Sequence, residues 1–170
     1  LIILDAGTGI FPLSQTLLAE LPVTANVLIT HSHWDHIQGL PFFIPNFIPG
    51  NTLRLHGAFD PVSGKGVEQV MAVQLQYSYF PVREAEMKAR IEYVTLSPEQ
   101  SLQVGSATIT PYLMNHALTD RGYRIDGDGV HDVVARLHVP VPPPTDRTTP
   151  TDRLVVTAHT GPGDTGPSDT

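Results

Sequence analysis

One six-residue string constrains this chain more than any other feature of its sequence: residues 31–36 read His-Ser-His-Trp-Asp-His. The string follows an apolar run at residues 27–29, Val-Leu-Ile, which predicts a buried strand. In extended backbone, side chains two residues apart point to the same side, so we expect His31, His33 and Asp35 to converge. A loop fixed by a buried strand is a common place for functional groups.

His36 extends this cluster of imidazole and carboxylate groups. The chain has no cysteine, so any metal must be held by His, Asp or Glu, and these donors suit Zn²⁺, Mn²⁺ or Fe²⁺. A catalytic zinc keeps a position open for water, whose pKa falls to roughly 7. The alternative is a surface loop that happens to be rich in histidine. We would prefer this interpretation for any one of these residues alone, but not for all four together. The string therefore predicts a hydrolytic metal site.

Composition limits the class of protein and its partners. A chain of 170 residues with 41% hydrophobic residues can form one domain with a core. The net charge is −7 and no Lys/Arg-rich run occurs, so we expect a small-molecule substrate, anionic ones included, and no nucleic acid. No membrane span or signal peptide is visible, which predicts a soluble cytoplasmic protein. The oligomeric state stays open.

Apolar periodicity and turn residues predict the secondary structure. Helices are expected over residues 10–21, 66–77 and 83–90, and strands over 1–4, 27–30, 52–56, 91–96, 101–104, 107–114 and 122–125. Prolines and a glycine between residues 41 and 50 exclude a long helix there. Alternating strands and helices followed by a run of strands predict an α+β protein, with mixed β-sheets and outer helices.

The character of the sequence changes near residue 139. Residues 139–170 are rich in Pro, Thr, Asp and Gly and cannot bury much surface. We therefore expect a domain over residues 1–138 and a poorly ordered segment over 139–170, interrupted by one strand within 154–159. The chain is also expected to be incomplete at both ends, because it opens inside an apolar run without methionine and stops abruptly at Thr170.

The string at residues 31–36 resembles the His-x-His-x-Asp-His signature of the metallo-β-lactamase superfamily. Residues 4–9, Leu-Asp-Ala-Gly-Thr-Gly, look like that superfamily's strand-end aspartate and glycine turn. His116, after the strand at 107–114, is placed like its next histidine ligand. The likeness spans about residues 1–125. It implies an αββα sandwich, here incomplete, with two adjacent metal ions at one edge.

The resemblance also implies a role for each residue of the string. His31, His33 and His116 would hold the first metal, and Asp35 with His36 the second, with Asp35 as the catalytic residue. Zinc is expected at both positions, with manganese or iron as alternatives. A shared water or hydroxide would attack an ester, phosphodiester, thioester or lactam, and phosphodiesters are suggested by the general family likeness.

The superfamily pattern also requires a bridging aspartate and one further histidine. Residues 154–162 resemble the strand that carries the aspartate, but His159 occupies its place and Asp164 follows five residues later. The choice among His159, Asp164 and neither stays open. An imidazole cannot offset the repulsion between two close cations as a carboxylate does, so the His159 alternative weakens the second site. The last histidine would lie beyond Thr170, so we hypothesise an active dinuclear parent and a segment that binds one metal weakly or is inactive.

Other residues receive smaller roles. Asp5 is expected to fix the histidine loop through hydrogen bonds rather than to bind metal. His56 is expected to be an ordinary core or sheet-edge histidine, and His131 and His138 are given no role. Specificity should come from loops such as Pro41–Asn51 and Tyr77–Pro81, so the substrate is not predicted.

Two competing functions keep the same fold. The first is a non-catalytic or inactive metal-binding fragment of such a domain. The second is a di-iron oxidoreductase, which ranks lower because His33 stands where the oxygen-reducing members are expected to carry glutamate. Fold alone does not decide among the three.

Overall fold

The computed structural model describes residues 1–97, 100–114 and 121–127, together with the backbone of 130–134 and 154–156. Within these ranges the helices are α1 (Ile10–Leu17), α2 (Trp34–Ile37) and α3 (Val67–Gln74). Short 3-10 turns lie at Leu40–Phe42, Ile44–Phe47 and Glu84–Glu86. The strands are β1 (Ile2–Leu4), β2 (Thr24–Leu28), β3 (Thr52–Ala58), β4 (Arg90–Leu96), β5 (Leu102–Val104), β6 (Ala107–Leu113), β7 (Arg121–Gly127), β8 (Val130–Val134) and β9 (Leu154–Val156).

These strands form two sheets. The first has the order β4-β3-β2-β1-β9, and each neighbouring pair is parallel. The second has the order β5-β6-β7-β8 and is antiparallel. The strand expected within residues 154–159 is present as β9, where Ile3 of β1 pairs with Val155.

Two apolar clusters hold the layers together. On one face of the parallel sheet, α1 and α3 pack over side chains that include Ile3, Val27 and Leu55. On the other face, Leu28 lies in a second cluster with Tyr123 and other side chains of the antiparallel sheet. Alternate residues of one strand point to opposite faces, which is why β2 supplies Val27 to one cluster and Leu28 to the other. The described residues thus form a helix–sheet–sheet stack, and the predicted α+β class and incomplete αββα sandwich are confirmed.

The prediction of a helix over residues 83–90 is wrong, although these residues are good helix formers. Only Glu84–Glu86 is helical, as a 3-10 turn. The backbone N–H groups of Lys88 and Ala89 donate to the carbonyl oxygen of Asn46, at 2.9 and 3.0 Å, instead of continuing a helix. Tertiary hydrogen bonds that lead into β4 therefore override the local propensity.

Other predicted helices and strands are present, but their first and last residues differ from the predicted ones. The first helix ends at Leu17 and the third at Gln74, both before the predicted ends, whereas the second strand begins three residues early, at Thr24. No helix in the described part of the chain is both long and apolar enough to cross a membrane.

Candidate metal centre

The histidine string lies at one edge of the sandwich, where elements of both sheets meet. Parallel strands β1 and β2 end side by side, and the N–H of Asp5 donates to the Leu28 carbonyl at 2.9 Å. The antiparallel sheet reaches the same edge, because the N–H of Arg121 donates to the Thr30 carbonyl at 3.0 Å and the Tyr123 hydroxyl donates to the Ile29 carbonyl at 2.7 Å. The backbone just before His31 is thus held by both sheets.

Asp5 connects the residues of the buried part of the site. Its side chain is 1% exposed, and its backbone adopts a positive φ of 59°. Oδ1 accepts hydrogen bonds from the backbone N–H of Thr30 at 2.8 Å and from its hydroxyl at 3.0 Å, while Oδ2 lies 3.0 Å from Nδ1 of His36. Burial raises the pKa of Asp5, and the contacts with His36 and Thr30 offset part of that rise. The expectation that Asp5 fixes the histidine loop agrees with these contacts.

The backbone around α2 is tied to the glycine turn that follows β1. The N–H of Ala6 donates to the carbonyl of His36, and the N–H of Gly39 donates back to the carbonyl of Ala6, both at 2.7 Å. A Cβ atom on Gly39 would lie 2.0 Å from the Gly7 carbonyl oxygen, so only glycine allows this close approach. The two segments therefore hold each other in a fixed orientation.

The route by which the string converges differs from the prediction. The extended backbone ends at His33, which precedes the helical turn Trp34–Ile37, so Asp35 does not follow the alternation of a strand. The ring centroids of His31 and His33 are 4.5 Å apart, and those of His31 and His36 are 4.0 Å apart. The helical turn that follows His33 thus places the His36 ring against that of His31. The expected convergence by extended alternation is wrong for Asp35.

Asp35 instead pairs with the outer nitrogen of His36. Its Oδ2 lies 3.2 Å from Nε2 of His36, whose Nδ1 faces Asp5. The Asp35 side chain is 57% exposed, whereas that of His36 is 10% exposed. His33 and Trp34 are also exposed, and His31 is half-buried with Nδ1 at 3.1 Å from the Thr30 hydroxyl. The site thus has a buried half and a half that faces solvent.

The donor chemistry of these residues fits a divalent metal ion. Imidazole and carboxylate groups suit zinc, and a carboxylate on the far nitrogen of a histidine, as in Asp5 and His36, is the usual support of a metal-binding imidazole. Within the described ranges, however, no group of three His, Asp or Glu side chains is arranged to hold an ion. These residues supply pairs of donors, and His116, His159 and Asp164 lie outside the described residues.

His56 is separate from this cluster, as expected of a core histidine. It is 5% exposed, and its Nε2 lies 3.1 Å from Oδ1 of Asn26. Burial lowers the pKa of His56 to about 4, so the ring is neutral at physiological pH. It is thus a buried, uncharged histidine of β3 that contacts the neighbouring strand β2.

Three features near the string had no signal in the sequence analysis. Thr30 and Arg121 are joined to the site by long-range hydrogen bonds, from Thr30 to Asp5 and from Arg121 to Thr30, which no local pattern reveals. A small cleft beside His31 is lined by residues of the β3–α3 connection, among them Asp60 and Lys65. The two predicted specificity loops do meet, because the rings of Phe42 and Phe80 make an edge-to-face contact at 5.4 Å.

Two stacked sheets with a cluster of histidine and carboxylate groups at one edge are what the resemblance of the string at residues 31–36 implies. The family model described as "Beta-lactamase superfamily domain" matches residues 1–135. The chain therefore belongs to the β-lactamase superfamily, a family of hydrolases, and the resemblance carried by the string at 31–36 is confirmed.

Comparison with individual proteins gives low sequence identities. The chain is 30% identical to a ribonuclease Z of Bradyrhizobium sp. (strain ORS 278) over 122 residues, which make up 70% of this chain and 38% of that protein. It is 27% identical to a ribonuclease Z of Staphylococcus saprophyticus over 125 residues, 69% of this chain and 37% of that one. The metallo-β-lactamase fold protein YhfI of Bacillus subtilis is 20% identical, with 75% of this chain and 46% of that chain covered and a TM-score of 0.47. The chain thus spans less than half of the length of each of these proteins.

Proposed function

We propose that this chain carries the histidine-rich part of the active site of a metal-dependent phosphodiesterase. The observation that carries the proposal is the arrangement of His36, whose inner nitrogen faces the buried carboxylate of Asp5 and whose outer nitrogen faces Asp35, next to the ring of His31. A structural histidine needs no second carboxylate at its exposed end. A metal ligand needs its ring held from behind and its outer nitrogen at the open side.

The residue roles follow the family signature. His31, His33 and His116 are proposed to hold one ion, and Asp35 with His36 the other. The contact between the His31 and His33 rings and the 3.2 Å separation of Asp35 and His36 support the two pairs. For His116 the support comes from the strands that precede and follow it in the sequence, because Leu113 at the end of β6 pairs with Arg121 at the start of β7. The N–H of Arg121 in turn donates to the carbonyl of Thr30, so the start of β7 lies beside the residue that precedes the string.

Zinc is the proposed metal at both positions, since the donors are imidazoles and a carboxylate and the chain has no thiolate. Manganese and iron remain alternatives. When bound, such ions lower the pKa of a coordinated water and stabilise negative charge on the substrate. Asp5 holds the His36 ring through Nδ1 and so leaves Nε2 directed outward. Asp35, on the solvent side, is proposed to accept a hydrogen bond from the attacking water.

The substrate class is proposed from the relatives. A ribonuclease cleaves the phosphodiester bonds of RNA, and two relatives carry the name ribonuclease Z. This weakens the expectation that nucleic acid is not a partner. The net charge of −7 gives no extended basic surface for a polyanion, so we propose that recognition depends on the scissile phosphate and its close neighbours.

The test compares His33→Ala and Asp35→Ala with the wild type in the full-length protein. Both variants are expected to lose more than about 100-fold in turnover of bis(4-nitrophenyl) phosphate, because each removes a donor from the reacting edge. Their circular dichroism should be unchanged, and elemental analysis should show less zinc. Asp126→Ala is the matched control, because Asp126 is a partly exposed aspartate that pairs with Arg124.

A non-catalytic metal-binding fragment is the second candidate, because the described part of the string supplies its donors in pairs, His31 with His33 and Asp35 with His36. It predicts that the full-length protein binds zinc but does not hydrolyse phosphodiesters, esters or lactams. That result would contradict the phosphodiesterase proposal. Two tightly bound metals in the 170-residue chain alone would contradict the separate hypothesis that this segment binds one metal weakly.

A further inference from the structure

Arg121 occupies an unusual position for a charged residue. It is the first residue of β7 and is only 6% exposed. Side chains two apart on a strand share a face, so Arg121 lies on the same face as Tyr123 and Ile125, which pack in the core between the sheets. Its backbone N–H donates to the carbonyl of Thr30, the residue immediately before the first histidine of the string. The backbone of Arg121 therefore lies at the edge of the sandwich that carries the proposed metal ligands.

Two nitrogen atoms of the Arg121 guanidinium also lack the partners that other arginines have. Arg54 and Arg90 each lie 2.7 Å from Glu92, and Arg124 lies 3.0 Å from Asp126. In contrast, Nε and Nη1 of Arg121 are shielded from solvent and have no hydrogen-bond partner in the part of the chain that the structure describes. Arginine stays charged when buried, so it cannot relieve this cost by losing a proton. Two buried donors of a charged group without acceptors require an explanation, and an anionic ligand would supply the missing acceptors.

We propose that Arg121 binds an oxyanion of the substrate, namely a phosphate group of the diester proposed above, on whose proposed function this inference rests. A guanidinium matches the geometry of phosphate oxygens, and charge-assisted hydrogen bonds of this type are roughly twice as strong as neutral ones. One buried arginine also explains how a chain with a net charge of −7 recruits an anion. The residue fixes the position of the phosphate relative to His31 and its neighbours.

The first experiment needs no substitution and uses the wild-type, zinc-loaded protein. Inorganic phosphate is titrated while the arginine Nε–H signals are followed by ¹H–¹⁵N NMR. The Arg121 signal is expected to shift with saturation, whereas the signal of Arg124, which already has a partner, stays in place. A parallel titration with acetate at equal ionic strength tests the anion class. An Arg121 signal that ignores phosphate, or that responds equally to acetate, overturns the proposal.

The second experiment measures the dissociation constant for inorganic phosphate by calorimetry. Arg121→Gln is expected to weaken binding about tenfold to a hundredfold, the range for one hydrogen bond to a charged group. Arg124→Gln, a matched control on the exposed face of the same strand, is expected to bind as the wild type does. Equal binding by the two variants contradicts the proposal. If Arg121→Gln does not fold, Arg121→Lys replaces it, and the wild-type NMR result decides on its own.

Kinetics separate this inference from the proposed function. Arg121→Gln should raise the KM for bis(4-nitrophenyl) phosphate and leave the KM for the neutral ester 4-nitrophenyl acetate unchanged. A wild type that binds zinc and hydrolyses the diester, with no change in either KM for the variant, defeats only the role of Arg121. A wild type that neither binds zinc nor hydrolyses the diester defeats the proposed function, whatever the NMR titration shows.

Discussion

The candidate site has two halves that the fold treats differently. In the buried half, Asp5, Thr30 and His36 are joined by hydrogen bonds of 2.8 to 3.0 Å and are closed off from solvent. In the outer half, His33 and Asp35 are exposed. The buried half is complete before any ligand arrives, because its polar groups satisfy one another. The outer half leaves its donor atoms available to a ligand.

This division has a physical reason. A buried polar group without a partner costs roughly 1–3 kcal/mol, so the inner residues are useful only as a connected network. The same cost does not apply in water, where exposed donors keep hydration until a ligand replaces it. Substitutions in the inner half should therefore act first on stability, and substitutions in the outer half on binding.

Asp5→Ala should cause the largest loss of stability. It removes the carboxylate that faces His36 and Thr30, and breaking a buried network by deleting one member typically costs about 3–5 kcal/mol. Alanine also suits the positive φ of 59° poorly. The free energy of unfolding in urea measures the effect. Asp126→Ala is the control and should stay within about 0.5 kcal/mol of wild type; equal values for the two variants would remove the distinction between the halves.

Thr30→Val should cause an intermediate loss. Valine keeps the shape of threonine but takes away the hydroxyl that lies 3.0 Å from each oxygen of Asp5, while the backbone N–H contact remains. The expected cost is about 1–3 kcal/mol in the free energy of unfolding. Thr24→Val, an exposed position on β2, serves as the matched substitution and should have almost no effect. A Thr30→Val protein as stable as Thr24→Val would show that the hydroxyl contributes nothing to the network.

The sequence predicted the buried half better than the path of the chain through the outer half. The strand-end position of Asp5 and the spacing of the histidines are local patterns, and both led to contacts that the structure contains. The helical turn at Trp34–Ile37 was missed because its residues were interpreted as extended backbone. The role of Thr30 depends on its contact with Asp5, 25 positions away, and that of Arg121 on its contact with Thr30, about 90 positions away, and no local pattern contains either. Long-range hydrogen bonds explain most of the differences, including the absent helix at 83–90.

The smallest effect on stability is expected for the outer half. His33→Ala and Asp35→Ala replace exposed side chains, so each should change the free energy of unfolding by no more than about 0.5 kcal/mol in the absence of metal. The contact of Asp35 with His36 adds little, because a surface ion pair is worth at most about 1 kcal/mol.

Zinc should reverse this ranking of the two halves. A ligand that binds only the folded state raises stability with its concentration, so zinc should raise the Tm of the wild type and raise it much less in His33→Ala and Asp35→Ala. Thr30→Val should keep most of its zinc-dependent rise, since all the proposed donors remain. Thermal unfolding with and without added zinc measures both quantities. A full zinc-dependent rise in the Tm of His33→Ala and Asp35→Ala would contradict the proposed ligands. An exposed side chain that does not bind the ion cannot link zinc binding to folding, so the metal donors would then have to be other residues.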